Sequence, residues 1–165
     1  MTDVSLRTDE TVVHALQVYG NSILRLAYSY LHSISEAEDI LQDTLLSLIK
    51  NKPVFLNSEH EKAWLMRVAI NLCKNKLKSS WFHTVEIPEN FDIEYMEEEE
   101  SEVLEAVNDL PVKYREVIHL FYFEGYSTLE ISSILQKKES TVRSLLCRAR
   151  ERLRKVLKGV YDFNE

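Results

Sequence analysis

Glycine and proline are scarce, three of each in 165 residues. A turn-dense β-sandwich or barrel needs more of both, so those architectures are set aside. Cysteine is scarcer still. Cys73 and Cys147 share no CxxC or zinc-ligand spacing, so they give neither a disulfide framework nor a metal knuckle and read as reduced thiols. Apolar runs are short; one of the longest, 117–123, falls far below a membrane span and is broken by His119. The opening MTDVSLRTDE has no basic flank and no apolar stretch. No signal peptide and no membrane insertion are therefore expected, and the expected location is cytoplasmic. HExxH, a glycine-rich phosphate loop, a nucleophile elbow and an internal repeat are all missing. The histidines (His14, His32, His60, His83 and His119) are scattered and read as surface or packing groups. No catalytic set, metal or cofactor is expected, and the chain reads as a non-enzyme.

What is present is helical. Hydrophobic residues make up 45% and charged residues 28%, the balance of an ordinary globular protein, and apolar positions recur every three to four residues. The fold class expected is all-α, with two small helical domains. Charge divides the chain in the same way. Residues 1–82 carry nine acids and nine bases; 83–102 carry nine acids and no base; 103–165 carry nine acids and eleven bases. The overall −7 thus hides a segment of −9 between near-neutral and basic lobes. Like charges with few apolar residues repel and stay extended, which suits a tether reaching roughly 60 Å at about 3.3 Å per residue. The domains expected are 1–82 and 102–165, joined by an acidic linker, 83–101.

The periodicity predicts a first helix from about Thr8 or Asp9, with Val12, Leu16, Tyr19, Ile23, Ala27 and Tyr30 inward. Capping boxes at Ser35–Glu38 and Ser58–Glu61 predict two more helices, the second ending before Pro53 and the third near Lys78. Beyond the acidic segment, Val103 to Leu110 reads as a short helix. The next starts at Pro111 and runs to Phe123, before Gly125. Ser127 and Glu130 form a further capping box for a brief helix. After the polar 136–139, Ser140 or Thr141 is expected to cap a long last helix.

Three faces carry chemistry. The last pair reads as a helix-turn-helix. Val142, Leu145, Leu146, Ala149 and Leu153 must pack inward, leaving Arg143, Ser144, Cys147, Arg148 and Glu151 outward. In a major groove such a face meets base edges and phosphates. Arg150, Arg154, Lys155 and Lys158 extend the basic surface. On the third helix Arg67, Asn71, Lys74 and Lys78 share a face, near the aromatics Trp64, Trp81 and Phe82. Cations beside rings suit single-stranded or melted nucleic acid. The second helix is acidic outward: Glu36, Glu38, Asp39, Gln42 and Asp43. Asp39 and Asp43 lie four apart, a spacing that allows a pair on Mg²⁺, but no second acidic helix completes a site, so a protein-docking face fits better.

These residues resemble a family. AEDILQDTL at 37–45 with AWLMRVAINL at 63–72, and LPVKYREVI at 110–118 with YSTLEI at 126–131 and STVRSLLCRAR at 140–150, are similar to the extracytoplasmic-function (ECF) sigma factors of bacterial RNA polymerase, in the sigma-70 family. The resemblance runs from about residue 14 to 157. It implies sigma region 2 and region 4 without region 1 or a full region 3, and a function in transcription initiation. It implies that Glu38, Asp39, Gln42 and Asp43 dock on the β′ clamp helices of core polymerase, and that region 4 meets the β flap. The loop 51–60 and the third helix would read the melted −10 element, with Trp64 and Asn71 at the bases and Arg67, Lys74 and Lys78 on the backbone. Ser140, Thr141, Arg143, Ser144, Cys147 and Arg148 would read the −35 duplex. An anti-sigma factor, membrane-associated in many relatives, is implied as a further partner, and the free protein is expected to be a monomer. Cys147 and Leu145 depart from residues frequent in the family, and 51–61 is poor in bases. The rivals are a helix-turn-helix regulator working without polymerase and an all-α metal-dependent phosphate enzyme.

Overall fold

In a computed structural model, backbone is described for residues 2–79 and 98–158, and side chains for 10–79 and 102–158. Every regular element among these is helical. The chain divides into two compact units, Met1–Ile87 and Pro88–Glu165. No helix among the described residues is long and apolar enough to cross a membrane.

The first unit holds α1 (Thr2–Leu31), α2 (Ile34–Asn51) and α3 (Ser58–Ser79), each packed on the other two. α1 starts well before the expected Thr8 or Asp9. Its buried stripe is Ala15, Tyr19, Ile23, Leu26, Ala27 and Tyr30. Leu16, expected inward, is 46% exposed, and Ala15 takes the core position. The two are adjacent, 100° apart around the helix, and the small residue is the one turned toward the neighbouring helices. α2 adds Ala37, Ile40, Thr44 and Leu48; α3 adds Leu65, Met66, Ala69, Ile70 and Cys73. The buried Thr44 and Ser29 hydroxyls satisfy themselves locally: Thr44 Oγ1 donates to the Ile40 carbonyl and Ser29 Oγ to that of Leu26, both at 2.7 Å.

The caps differ from those expected. Ser33, not Ser35, caps α2, its Oγ accepting from the Glu36 N–H. Ser33 and Ser35 are each followed three residues later by glutamate, so the motif admits two registers. The left-handed His32 (φ 53) closes the connection from α1 and selects the earlier one. For α3 the cap is Asn57 instead of Ser58: Asn57 Oδ1 accepts from the His60 N–H at 2.8 Å. Asparagine is among the strongest N-caps and already holds the position, so Ser58 falls inside the first turn.

The second unit holds α4 (Glu98–Asn108), α5 (Val112–Ile118), a π-helical turn (His119–Phe123), α6 (Thr128–Leu135) and α7 (Glu139–Leu157). α4 takes in the end of the glutamate run, so helix begins inside the segment 83–101 read as an extended tether. Trp81, Phe82 and the rest of that segment lie outside the described residues. The helix expected through Phe123 is not uniformly α. It widens at His119, where the Glu124 N–H reaches back five residues to the His119 carbonyl at 3.1 Å. Every residue from Tyr114 to Leu120 is buried, and a strictly α path would turn part of that run outward. Gly125, at φ +74, then reverses the chain; a Cβ there would touch nothing within 4 Å, so backbone conformation alone calls for glycine.

Polar side chains are interred here too. Arg115 Nη1 donates to the carbonyls of Asn108 (2.8 Å) and Leu110 (3.0 Å), capping the C-terminal end of α4. His119 Nε2 lies 3.3 Å from Glu124 Oε1 with both side chains buried.

Candidate nucleic-acid interfaces

The geometry of α6 and α7 starts from their caps. Ser127 and Glu130 make the expected capping box: Ser127 Oγ accepts from the Glu130 N–H, and Glu130 Oε1 accepts from the Ser127 N–H, both at 3.1 Å. Gln136 ends α6 in the left-handed region (φ 54), and the Lys137 N–H returns to the Ser132 carbonyl. α7 then begins at Glu139, not at a Ser140 or Thr141 cap. Its N-cap, Lys138, makes no side-chain bond. Glu139 takes over that end: its Oε1 accepts from Thr128 Oγ1 at 3.0 Å, tying the starts of the two helices together. A carboxylate in the first turn also suits the helix dipole.

Val142, Leu145, Leu146 and Ala149 are buried as expected, while Leu153 is half-buried and Leu157 closes the stripe. Ser140, Thr141, Arg143, Ser144, Cys147, Arg148 and Glu151 are all exposed, so the outward face is the one read from spacing. The basic residues, however, divide. Lys137 Nζ reaches the buried Glu116 at 3.4 Å and pins the turn to α5. The Arg150 guanidinium lies over the rings of Phe121 and Tyr122, 5.4 and 5.5 Å from their centroids, and Nε donates to Tyr122 Oη at 2.6 Å. Arg152 lies 4.8 Å over Tyr114. Arg150 and Arg152 therefore grip α7 on opposite flanks through cation–π contacts, rather than merely extending an open basic surface. Sequence reasoning missed Tyr114, Phe121 and Tyr122. Their signal is three aromatic residues within 112–123, the helical stretch before the helix-turn-helix.

In the first unit Asn71 and Lys78 are exposed on α3, with Trp64, Arg67 and Lys74 half-buried on the same face. Beside them runs the connection from α2. Lys52 ends α2 in the left-handed region (φ 44). Phe55 then turns inward, its ring meeting His60 at 5.5 Å and Trp64 at 5.8 Å, both edge-on. Its neighbours Val54 and Leu56 point outward, 87% and 89% exposed. Tyr19 Oη, on α1, donates to the Ser58 carbonyl at 3.1 Å. Burial raises the Tyr19 hydroxyl pKa, helped by the charge of Glu61, so it stays a donor.

The outer face of α2 carries Glu38, Asp39, Gln42 and Asp43, all exposed, followed by the exposed Leu46 and Ile49. Lys76 Nζ of α3 sits 3.7 Å from Asp39. Among the described residues no group of three His, Cys, Asp or Glu side chains is placed to hold a metal ion.

Two helical units, one ending in a capped helix-turn-helix with an exposed polar face, match known families. The sigma-70 region 2 model matches residues 16–83, and the sigma-70 region 4 model matches 100–153. The RNA polymerase sigma-H factor of Pseudomonas aeruginosa is 32% identical, over 84% of this chain and 82% of its own. The chain belongs to the ECF class of the sigma-70 family. The ECF RNA polymerase sigma factor SigW of Bacillus subtilis is 29% identical, covering 88% of each chain. The solved sigma factor RpoE of Bartonella quintana, in complex with the anti-sigma factor NepR, superposes with a TM-score of 0.75 over 90% of this chain and 97% of that one; at 24% identity it speaks for the fold. As a sigma factor the chain is a transcription initiation factor and not an enzyme.

Proposed function

We propose that this sigma factor directs core RNA polymerase to promoters by reading a −10 element with residues 1–82 and a −35 element with 102–165, the acidic 83–101 linking them. The observation that carries this is the exposed row Ser140, Thr141, Arg143, Ser144, Cys147 and Arg148 on one side of α7, opposite a continuous buried stripe. Inserted in a major groove, that row presents two arginines, three hydroxyls and a thiol to base edges and phosphates. Trp64 and Asn71 meet unstacked bases of the melted strand, and Arg67, Lys74 and Lys78 its phosphates. Glu38, Asp39, Gln42 and Asp43 dock on the β′ clamp helices, and the second unit meets the β flap.

Each reader alone grips DNA weakly. Mounted together on polymerase they gain effective concentration, so paired elements are selected over either one. The protein acts in the cytoplasm, is monomeric when free, and is held by an anti-sigma factor that covers the docking faces. The test is reconstitution: core polymerase with the purified protein, on a genomic promoter library. Promoter-dependent transcripts are expected, with weak DNA binding by the free protein. No transcript, or tight specific binding without polymerase, rejects the proposal.

A further inference from the structure

The connection between α2 and α3 is held in a way that sequence spacing does not suggest. In a capping box a glutamate or glutamine three residues into the helix reaches back to the cap. Here the residue in that place is a histidine. His60 receives the Asn57 side chain at its own N–H (2.8 Å), and its ring reaches back so that Nδ1 accepts from the Leu56 N–H at 3.1 Å. The same ring is struck edge-on by Phe55 at 5.5 Å. Three consecutive residues, Phe55, Leu56 and Asn57, are thus fixed to one imidazole residue, and the two aliphatic chains flanking Phe55 are thrown outward, 87% and 89% exposed. Apolar side chains held in that way suit the methyl group and ring faces of unstacked bases.

We infer that His60 is a positioning residue that, as the neutral imidazole, pins the Leu56 backbone so that Val54 and Leu56 are presented to the melted DNA strand. This rests on the proposal that the first unit reads that strand. The chemistry fixes the sign. A ring nitrogen accepts a hydrogen bond only while it carries no proton; in the imidazolium both nitrogens are donors. Acidification therefore removes the partner of the Leu56 N–H and frees the loop. The charged and titratable groups on the elements that meet there are Glu59, Glu61 and Lys62 of α3, His14 of α1, and Lys50 and Lys52 at the end of α2. Glu61 turns to His14, 3.9 Å away, and among the described residues none forms an ion pair with His60.

The test uses the full chain by itself and loaded on core polymerase. Amide exchange at Leu56 is followed by NMR. The polymerase complex is used to sort a random-sequence single-stranded DNA pool, and selectivity is the enrichment of its best sequences over the median. His60→Leu is expected to speed Leu56 exchange about tenfold and to cut selectivity roughly fivefold, the scale of one net hydrogen bond, with polymerase affinity unchanged. His60→Asn, which keeps an acceptor oxygen in place of Nδ1, stays within about twofold of the natural chain. The natural chain loses selectivity on acidification, because a protonated ring nitrogen cannot accept, and His60→Asn does not. Unchanged exchange and selectivity in His60→Leu, or equal pH profiles for the natural chain and His60→Asn, overturn the inference. A double variant, Val54→Ser with Leu56→Ser, separates the two levels. If it keeps full selectivity, Val54 and Leu56 are not readers and the inference fails, while reading by Trp64 and Asn71 stands; if it loses selectivity while His60→Leu does not, the latch alone fails.

Discussion

The two units solve the same packing problem by different means. The first has three long helices, and among its described residues the buried polar side chains are Ser29 and Thr44, each bonded to its own helix. No charged residue among its described residues is fully buried. The second packs three short helices, α4, α5 and the eight-residue α6, around one long one, α7, and it buries Arg115, Glu116 and His119. Long helices offer enough apolar stripe to hold one another without polar help. Short ones do not, and here orientation comes from directional contacts: Arg115 to the end of α4, Lys137 to Glu116, Arg150 to Tyr122, Thr128 to Glu139. Buried polar groups are weak sources of net stability but strong constraints on geometry once satisfied. A unit that must hold one helix at a set angle to a groove gains from such constraints.

The sharpest way to break this contrast is to injure each core in its own style. Leu65→Ala, at a fully buried site in α3, should destabilise the first unit by about 3 kcal/mol, the usual cost of such a cavity. Arg115→Met should cost the second unit about 2 kcal/mol, because two carbonyls at the end of α4 lose their donor. Hydrogen exchange by mass spectrometry, resolved by helix, measures both; losses of equal size across all seven helices in either variant would erase the distinction. At the surface, Asp43→Lys should weaken core polymerase binding about tenfold through charge reversal on the α2 face. Arg148→Ala should lower affinity for duplex DNA several-fold and, if it meets a phosphate, reduce the salt slope by about one, measured by anisotropy on a random duplex pool. Ser127→Ala removes one half of the capping box and should cost about 1 kcal/mol, read as faster exchange at the start of α6.

How far the sequence discloses this arrangement depends on the length of the signal. The outward row on α7 is legible because five turns repeat one period, so a single mistaken residue cannot rotate the face. The same strength fails at Leu16, where two adjacent apolar residues fit the stripe and only the neighbouring helices choose between them. Caps are read from four residues, and there the register slips: Ser33 displaces Ser35, Asn57 displaces Ser58, and Glu139 begins α7 before Ser140. The π turn and the Arg150–Tyr122 contact, bridging 28 residues, leave no local trace, since both arise from tertiary packing. The residues of the proposed interfaces lay on legible faces; the side chains that hold those faces in place did not.

One cysteine lies in each unit, and the pair gives the mildest probe of the contrast. Cys73 is fully buried, and burial pushes its thiol up to about 12, with Lys76 pulling slightly the other way. Cys147 is exposed on the α7 row. Thiol reagents attack the thiolate, so in the native chain near pH 8 Cys147 should label promptly, and Cys73 only when α1–α3 open. The Cys73 rate then measures opening of the first unit, and Leu65→Ala should raise it while Arg115→Met leaves it alone. The raised value also sets a pH dependence. An unfolded thiol ionises near pH 9 and the folded one does not, so the contribution of Cys73 burial is whole below pH 9 and is lost as pH climbs toward 12. Cys73→Ala should flatten that alkaline decline in the first unit, followed by exchange in α3 between pH 8 and 10.5. A decline of the same steepness in Cys73→Ala would place its origin on another group.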